Sequence, residues 1–439
     1  MNEFNIAVFG CWNTGCYKNS EQKSVAKLIK DNEKLYKFMV ILGDNYYATK
    51  KTLHKDKNND KNNIKIVDTN INEMKQGFDC LKDINLEKKL IMGNHDVMNS
   101  YDKSCSALKI QLKLPWYDIK FPYSYDLYYL KNGETYETIL LIYLDTTVYS
   151  KDDKSEKSCY QETLLKSKEI VKTEQNAFIT DILSKMLNDT TLNINNVVFF
   201  GHEPLFTFKE KEKEKEKDKK QKKIINEIKD EAKDEIKDET TDNKKIKKSI
   251  ITELLDLLFK IKKQSQYQNK NFYWICADHH IYQNTEIINN NSIIKQWIFG
   301  TGGGELDEPP SKKTIEHTDV VDDVENKYTL TILDNLVDGT KIYNTNGISN
   351  YGYGEIIFKI NDSVSHIFKT IENDVKPIAN DVEPIANDDK PQDNNYGSEK
   401  DIMPPKIILN QSGGHLFNKN FKNKYLKYKQ KYLNLKLKN

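Results

Sequence analysis

Four short apolar runs set the outline of this chain. Phe38-Met39-Val40-Ile41-Leu42, Lys89-Leu90-Ile91-Met92, Val197-Val198-Phe199-Phe200 and Phe272-Tyr273-Trp274-Ile275-Cys276 are rich in β-branched and aromatic side chains and read as buried strands. Each gives way to a polar segment: Gly43-Asp44-Asn45-Tyr46-Tyr47, Gly93-Asn94-His95-Asp96, Gly201-His202-Glu203-Pro204 and, after Ala277, Asp278-His279-His280. Loops just beyond strand ends are where a rigid scaffold presents reactive groups. Here those loops carry Asp, Tyr, Asn and His in the proportions of a metal shell.

Two cations about 3.5–4 Å apart hold a phosphate ester, generate hydroxide and stabilise an in-line displacement, and they need a shared carboxylate. Asp44 is the natural bridge because it follows a central strand and offers two oxygens. Tyr47 adds a phenolate suited to ferric iron, and Asn94 a neutral carbonyl ligand. Each segment alone has a plainer reading: Asp-Asn is common in turns, a strand-end His before Pro is usually a loop residue, and His279-His280 can simply leave a strand. Four such segments, each after an apolar run, are hard to explain as independent turns.

The order and wording of the segments resemble the metallophosphoesterase (calcineurin-like) superfamily, and within it the purple, tartrate-resistant acid phosphatases. Leu114-Pro115-Trp116-Tyr117-Asp118, then Leu140 to Thr146, a helix around Gln175 to Leu187, and Gly300-Thr301-Gly302-Gly303-Gly304 extend the likeness over roughly residues 4 to 370. It implies an α/β fold, a four-layer αββα sandwich of two mixed sheets flanked by helices. It also implies two divalent or trivalent metal ions, iron with zinc or manganese, and hydrolysis of phosphate monoesters by a metal-bound hydroxide. In that reading Asp44 bridges, and Tyr47 and His280 take one cation, with Cys11 a further candidate on the same ion. Asn94, His202 and Asp278 take the other, and His95 stabilises the phosphoryl oxygens of a phosphorylated small molecule or phosphoprotein.

Three departures qualify the likeness. The family pattern wants Gly-Asp-Trp after the first strand, whereas this chain has Gly10-Cys11-Trp12. A thiolate is a soft ligand that favours zinc or ferrous iron, and a buried apolar-like thiol is the equal alternative. Gly-His-x-His becomes Ala277-Asp278-His279-His280, which makes the site more anionic. The family histidine after Gly-His-x-Pro is absent, the chain running Phe206-Thr207-Phe208-Lys209-Glu210-Lys211 instead. Losing a general acid typically costs about 10²–10⁴-fold. These changes leave open a second class of function, a degenerate pseudophosphatase kept as a binding or scaffold module.

The remaining sequence reads as appendage. Charged residues make up 30% of the chain, concentrated in a Lys/Asn/Asp-rich insertion at about 50–72 and a Lys-Glu insertion at 209–248. The second is expected to be a solvated helix held by i,i+4 pairs, or disordered. Residues 1–371 form the expected domain and 372–414 a Pro/Asp/Asn-rich linker with a short tandem repeat beginning at Asn373 and Asn380. In 415–439, Phe417, Phe421, Tyr425, Tyr428, Tyr432 and Leu435 make a helical stripe beside eight lysines and no acid. That tail resembles those ending many giant-DNA-virus proteins. It suits a membrane surface or a partner protein, with an unliganded basic helix the plainer alternative, and it is not read as a specific nucleic-acid site. No signal peptide or run of about 18 apolar residues is visible. Cysteines 11, 16, 80, 105, 159 and 276 show no framework spacing, so reduced thiols and a cytoplasmic location, in a host cell or virion if viral, are expected.

Overall fold

Strong β-formers in short buried runs build two large sheets. A computed structural model describes residues 2–12, 20–47, 68–98, 105–150, 159–210, 246–303, 306–310, 312–321, 324–333, 335–337, 341–343 and 349–371. In chain order the strands are β1 Glu3–Phe9, β2 Tyr36–Leu42, β3 Glu87–Ile91, β4 Asp118–Ile119, β5 Tyr123–Asn132, β6 Thr135–Leu144, β7 Ile194–Phe200, β8 Phe206–Glu210 and β9 Ile246–Ile250. They continue as β10 Asn271–Cys276, β11 Tyr282–Asn289, β12 Ser292–Phe299, β13 Thr314–Val321, β14 Val324–Ile332, β15 Asn335–Val337, β16 Lys341–Tyr343, β17 Gly352–Lys359 and β18 Ser365–Thr370. The helices are α1 Ser20–Asp31, α2 Asp68–Asp79, α3 Asn94–Val97, α4 Ser106–Gln111, α5 Cys159–Leu164, α6 Lys168–Leu187 and α7 Thr252–Lys262.

One sheet runs β16-β15-β18-β17-β1-β2-β3-β4, the other β13-β14-β11-β12-β10-β7-β6-β5, and β8 pairs β9 separately. The centre of each is parallel: β1, β2, β3 and β4 in the first, β6, β7, β10 and β12 in the second. Antiparallel strands flank both centres. The fold is therefore mixed α/β with two large mixed sheets.

Period-two alternation sorts the side chains into layers. Ile6, Val8, Phe38, Val40 and Leu42 meet Leu141, Tyr143, Val198, Phe200, Tyr273 and Ile275 between the sheets. Their neighbours Ala7, Phe9, Met39 and Ile41 face the other way, under Val25 and Ile29 of α1, Phe78 of α2 and Leu108 of α4. On the far side Leu140, Ile142, Val197, Phe199, Phe272 and Trp274 pack under Ile179, Leu183 and Met186 of α6 and Leu254, Leu258 and Phe259 of α7. Burying each side chain of this kind is worth about 1.5–3 kcal/mol.

Register brings the carboxyl ends of the parallel strands to a common edge. Phe9 pairs Ile41, Leu42 pairs Ile91, Phe200 pairs Ile275 and Cys276 pairs Ile298. The edges of the two sheets are then stitched together where Gly10 N–H donates to Phe299 O at 3.0 Å and Gly302 N–H to Gly10 O at 3.2 Å.

Several expectations need correction. The helix expected around Gln175 starts earlier, at Lys168, because Ser167 caps it by accepting from Ile170 N–H. Residues 68–72, expected to be insertion, belong to α2, whose Met74 and Phe78 enter the core. The ends of the Lys-Glu insertion pair as the β8–β9 hairpin, while its middle, like 48–67, the linker and the tail, lies outside the described residues. The chain divides into two units, Met1–Ala379 and Asn380–Asn439.

The cysteines depart most clearly from expectation. Cys105 and Cys159 form a disulfide with Cα atoms 5.6 Å apart, and Cys80 is also disulfide-bonded. A separation of 54 residues carries no spacing signature; the fold, which sets α4 beside α5, makes the pair. Reduced thiols throughout are thus not what this fold contains, although Cys11 and Cys276 are free and buried. Among the described residues no helix is long and apolar enough to cross a membrane.

Candidate metal centre

The site is assembled from residues that leave strand ends in an unusual backbone conformation. Cys11 after β1, Asp44 after β2 and Asp278 after β10 have φ of 53°, 52° and 53°. The left-handed region costs an L-residue about 1–2 kcal/mol, less for Asp than for Cys. Strain of this kind persists where surrounding structure over-determines it, often at functional sites. Two glycines allow the close approach. Gly43, at φ 91°, and Gly93 are packed so tightly that a Cβ on Gly93 would sit 2.3 Å from Asp44 N and Oδ1.

Asp44 is buried and presents its two oxygens to two different groups. Oδ2 accepts from Tyr47 OH at 3.0 Å, and the same hydroxyl lies 3.2 Å from His280 Nε2. Oδ1 accepts from His95 N–H at 3.1 Å and stands 3.1 Å from His202 Nε2, which is itself 3.7 Å from Asp278 Oδ1. One ligand atom each from Cys11, Asp44 and His202 lies within 4.8 Å of the others, and Cys11 also interacts with Tyr47 and the backbone of Asp278. The His95 side chain is exposed, and its ring packs at a tilt of 53° against Tyr47 with centroids 4.7 Å apart. Asn94 follows Gly93 with a buried Oδ1 that has no hydrogen-bond partner.

Electrostatics here reflect burial against charge. Burial raises the Asp44 pKa, but the nearby His202 outweighs it and holds the carboxyl at about 2. Burial lowers that of His202, and Asp44 and then Asp278 overcome it, pushing it up to about 10. Burial, then Asp44 and Asp278, push the Cys11 thiol well up. Tyr47 is also raised, by burial and then by Cys11 and Asp44. The site therefore demands positive charge.

His202 supplies the observation that tests a metal here. Its Nδ1 is 2.7 Å from Leu42 O, a position only an N–H can occupy favourably, which leaves Nε2 to face the Asp44 and Asp278 oxygens. Nε2 is buried against those two carboxylates, and the proton they stabilise on it is what a metal would replace. A lone pair aimed at carboxylate oxygens is repulsive unless a proton or a cation lies between them. A backbone carbonyl fixing the distal nitrogen is how metal-bound imidazoles are oriented. Two carboxylates, two imidazoles, a phenol, an amide oxygen and a thiol thus form a donor set that fits cations of intermediate and hard character.

Several supporting residues escaped sequence reading. Asp96 is buried and accepts from Gly93 N–H at 2.8 Å, Asn45 N–H at 3.1 Å, Asn45 Nδ2 at 3.2 Å and Gln111 Nε2 at 2.9 Å, joining the Asp44 and Asn94 loops. An acid three residues after Gly93 at a helix start was the available signal. Asp307 accepts from His280 N–H at 2.9 Å, and Thr146 Oγ1 accepts from Glu203 N–H at 2.9 Å. Burial, with Asp278 next, raises Glu203 to about 8. His279 turns the other way, its Nδ1 3.2 Å from Thr207 Oγ1.

No family model matches the chain, and no curated protein matches it. Among solved structures it is similar to GAP50, the anchor in the inner membrane complex of Plasmodium, with 11% identity over 84% of this chain and 85% of that one and a TM-score of 0.44.

Proposed function

We propose that the protein is a metal-dependent phosphoesterase of the metallophosphoesterase type, acting on phosphate monoesters at a dinuclear site. The observation that carries this reading is the splitting of the Asp44 carboxylate, Oδ2 toward Tyr47, whose hydroxyl also faces His280, and Oδ1 toward His202, whose Nε2 also faces Asp278. Tyr47, His280 and Cys11 would hold one ion and Asn94, His202 and Asp278 the other. Bound there, such ions would supply Lewis acidity and a nucleophile drawn from water.

The protein's own residues do the rest. Leu42 O holds His202 in one tautomer, and Asp96 locks the Asn94-His95 turn against the Asp44 loop. The exposed His95 ring, backed by Tyr47, is placed to bind phosphoryl oxygens and to exchange a proton with a leaving group. Burial of Asp44 and His202 keeps bulk water from solvating the charges that hold the substrate.

One observation favours the pseudophosphatase reading. Cys11 is fully buried within the apolar layer between the sheets, and burial raises its thiol well up, the behaviour of a packing residue. Elemental analysis of the purified protein beside p-nitrophenyl phosphate hydrolysis decides between them. About two metals per chain with turnover abolished by a chelator supports the enzyme. Metal-free, folded protein without turnover supports the scaffold.

A further inference from the structure

We propose that the Cys105–Cys159 disulfide is a positioning element for the candidate centre, because it ties together the two helices that each fix one wall of it.

Cys105 is the residue before α4, and Gln111 is the last residue of that helix. Gln111 Nε2 donates to Asp96 Oδ1 at 2.9 Å, and Asp96 in turn accepts from the Gly93 and Asn45 amides. This branch holds the two loops that carry Asp44, Asn94 and His95. Cys159 is the first residue of α5, and the next residue, Tyr160, donates its hydroxyl to Asp145 Oδ2 at 2.6 Å. Asp145 Oδ1 accepts from Thr147 N–H at 3.0 Å, while Thr146 between them accepts from Glu203 N–H at 2.9 Å, next to His202. This second branch holds the His202 loop. Gln111, Asp96, Asp145, Thr146 and Tyr160 are all buried, so neither branch has water to replace a lost partner.

α4 and α5 are short, six residues each, and helices of that length have little stability of their own. An exposed Lys109–Glu162 pair at 3.3 Å also ties them, a kind of contact worth little. Leu108 and Tyr160 also share one apolar cluster, and the disulfide adds the covalent connection between the two branches. Its removal leaves the sheets intact but lets each helix drift with its buried carboxylate.

The test uses the full chain and the Cys105→Ser/Cys159→Ser double variant, with amide exchange at Asn45, Gly93 and Glu203 as the primary readout and Mn²⁺ titration as the second. Only the metal arm rests on the metal-centre reading. Exchange at those three amides is expected to quicken tenfold or more in the variant, with amides of β6 and β7 unchanged and Mn²⁺ affinity lower by tenfold or more. Unchanged exchange at all three overturns the proposal. If the double variant does not fold, Gln111→Leu and Tyr160→Phe keep the disulfide and cut one branch each. The first is expected to expose Asn45 and Gly93 only and the second Glu203 only; wild-type exchange in both overturns the proposal. Faster exchange in a protein that binds no Mn²⁺ before or after substitution supports the positioning role and sinks the metal-centre reading instead.

Discussion

His202 meets Asp44 with Nε2 3.1 Å from Oδ1, and it does so because Leu42 O has already taken the other ring nitrogen. Nothing in the contact is adjustable: both side chains are buried, and Gly43 beneath them is at φ 91°. A cation bound there displaces a proton held by the same pair, so proton and metal compete for one place.

The first test is of the proposed bridge, Asp44. Asp44→Asn is preferable to an alanine change because Asn tolerates the left-handed backbone at φ 52°. The neutral amide should release both metals together, lowering turnover by a hundredfold or more, about 2.7 kcal/mol or more of barrier. Circular dichroism should be unchanged. Two metals per chain in folded Asp44→Asn protein would remove Asp44 from the bridging position.

Gly93→Ala tests the closeness of the two loops by sterics alone, since φ at Gly93 is −103° and any residue can adopt it. The new Cβ would meet Asp44 N and Oδ1 at 2.3 Å, backbone and carboxylate that cannot step aside. Stability should fall by about 1–3 kcal/mol, as for overpacked sites, and metal uptake should drop with it. A variant that melts with the parent and loads metal normally would mean that the loops are farther apart than described.

The legible part of this molecule was the part written in runs. Phe38 to Leu42, Val197 to Phe200 and Phe272 to Cys276 are buried on both faces, so their apolar runs and the polar segments after them stand out. Asp44, Tyr47, Asn94, His95, His202, Asp278 and His280 could be singled out as candidates that way because each lies in the short polar segment after a strand end. What could not be read depends on contacts between distant segments. Asp96 and Asp145 look like ordinary loop acids until Gln111 and Tyr160 arrive from later helices. Cys105 and Cys159 join only because α4 and α5 pack side by side. The structure also separates the adjacent His279 and His280, the turn after β10 pointing one ring to Thr207 and the other to Tyr47.

Acid sensitivity should trace in part to a histidine outside the site. The His366 ring packs at a tilt of 31° against Trp297, with centroids 4.1 Å apart, and its Nε2 meets Tyr282 OH at 2.7 Å. Burial, with Lys295 adding to it, lowers its pKa to about 3. The folded state thus holds fewer protons than the unfolded state, whose histidine titrates near 6.5. Stability from this group is complete above pH 6.5 and is lost as pH falls toward 3, amounting to about 2 kcal/mol by pH 5. His366→Gln keeps an acceptor for Tyr282 but cannot titrate. Urea melts at pH 7 and pH 5 should show the parent losing about 2 kcal/mol more than the variant, and equal losses would clear His366 of the effect.

Cys11→Asp asks whether the thiol is a ligand position or a packing position. The residue is fully buried, sits at φ 53° and neighbours Asp44, Asp278 and Tyr47. A third carboxylate there adds negative charge where two already raise the thiol, so the metal-free variant should be less stable than the parent by several kcal/mol. The left-handed backbone, which Asp accepts more readily than Cys, offsets only a small part of that loss. With Mn²⁺ or Fe³⁺ present the balance reverses if this is a ligand position, because a hard carboxylate replaces a soft sulfur. Metal affinity should then rise tenfold or more, turnover of p-nitrophenyl phosphate should rise by a similar factor, equivalent to about 1.4 kcal/mol of barrier, and the melting temperature should recover on adding metal. The parent should be colourless or nearly so, since a sulfur beside Tyr47 disfavours ferric iron. A variant whose melting temperature falls and stays low with metal, and which gains neither affinity nor turnover, would assign Cys11 to packing between the sheets and favour the scaffold reading over the enzyme.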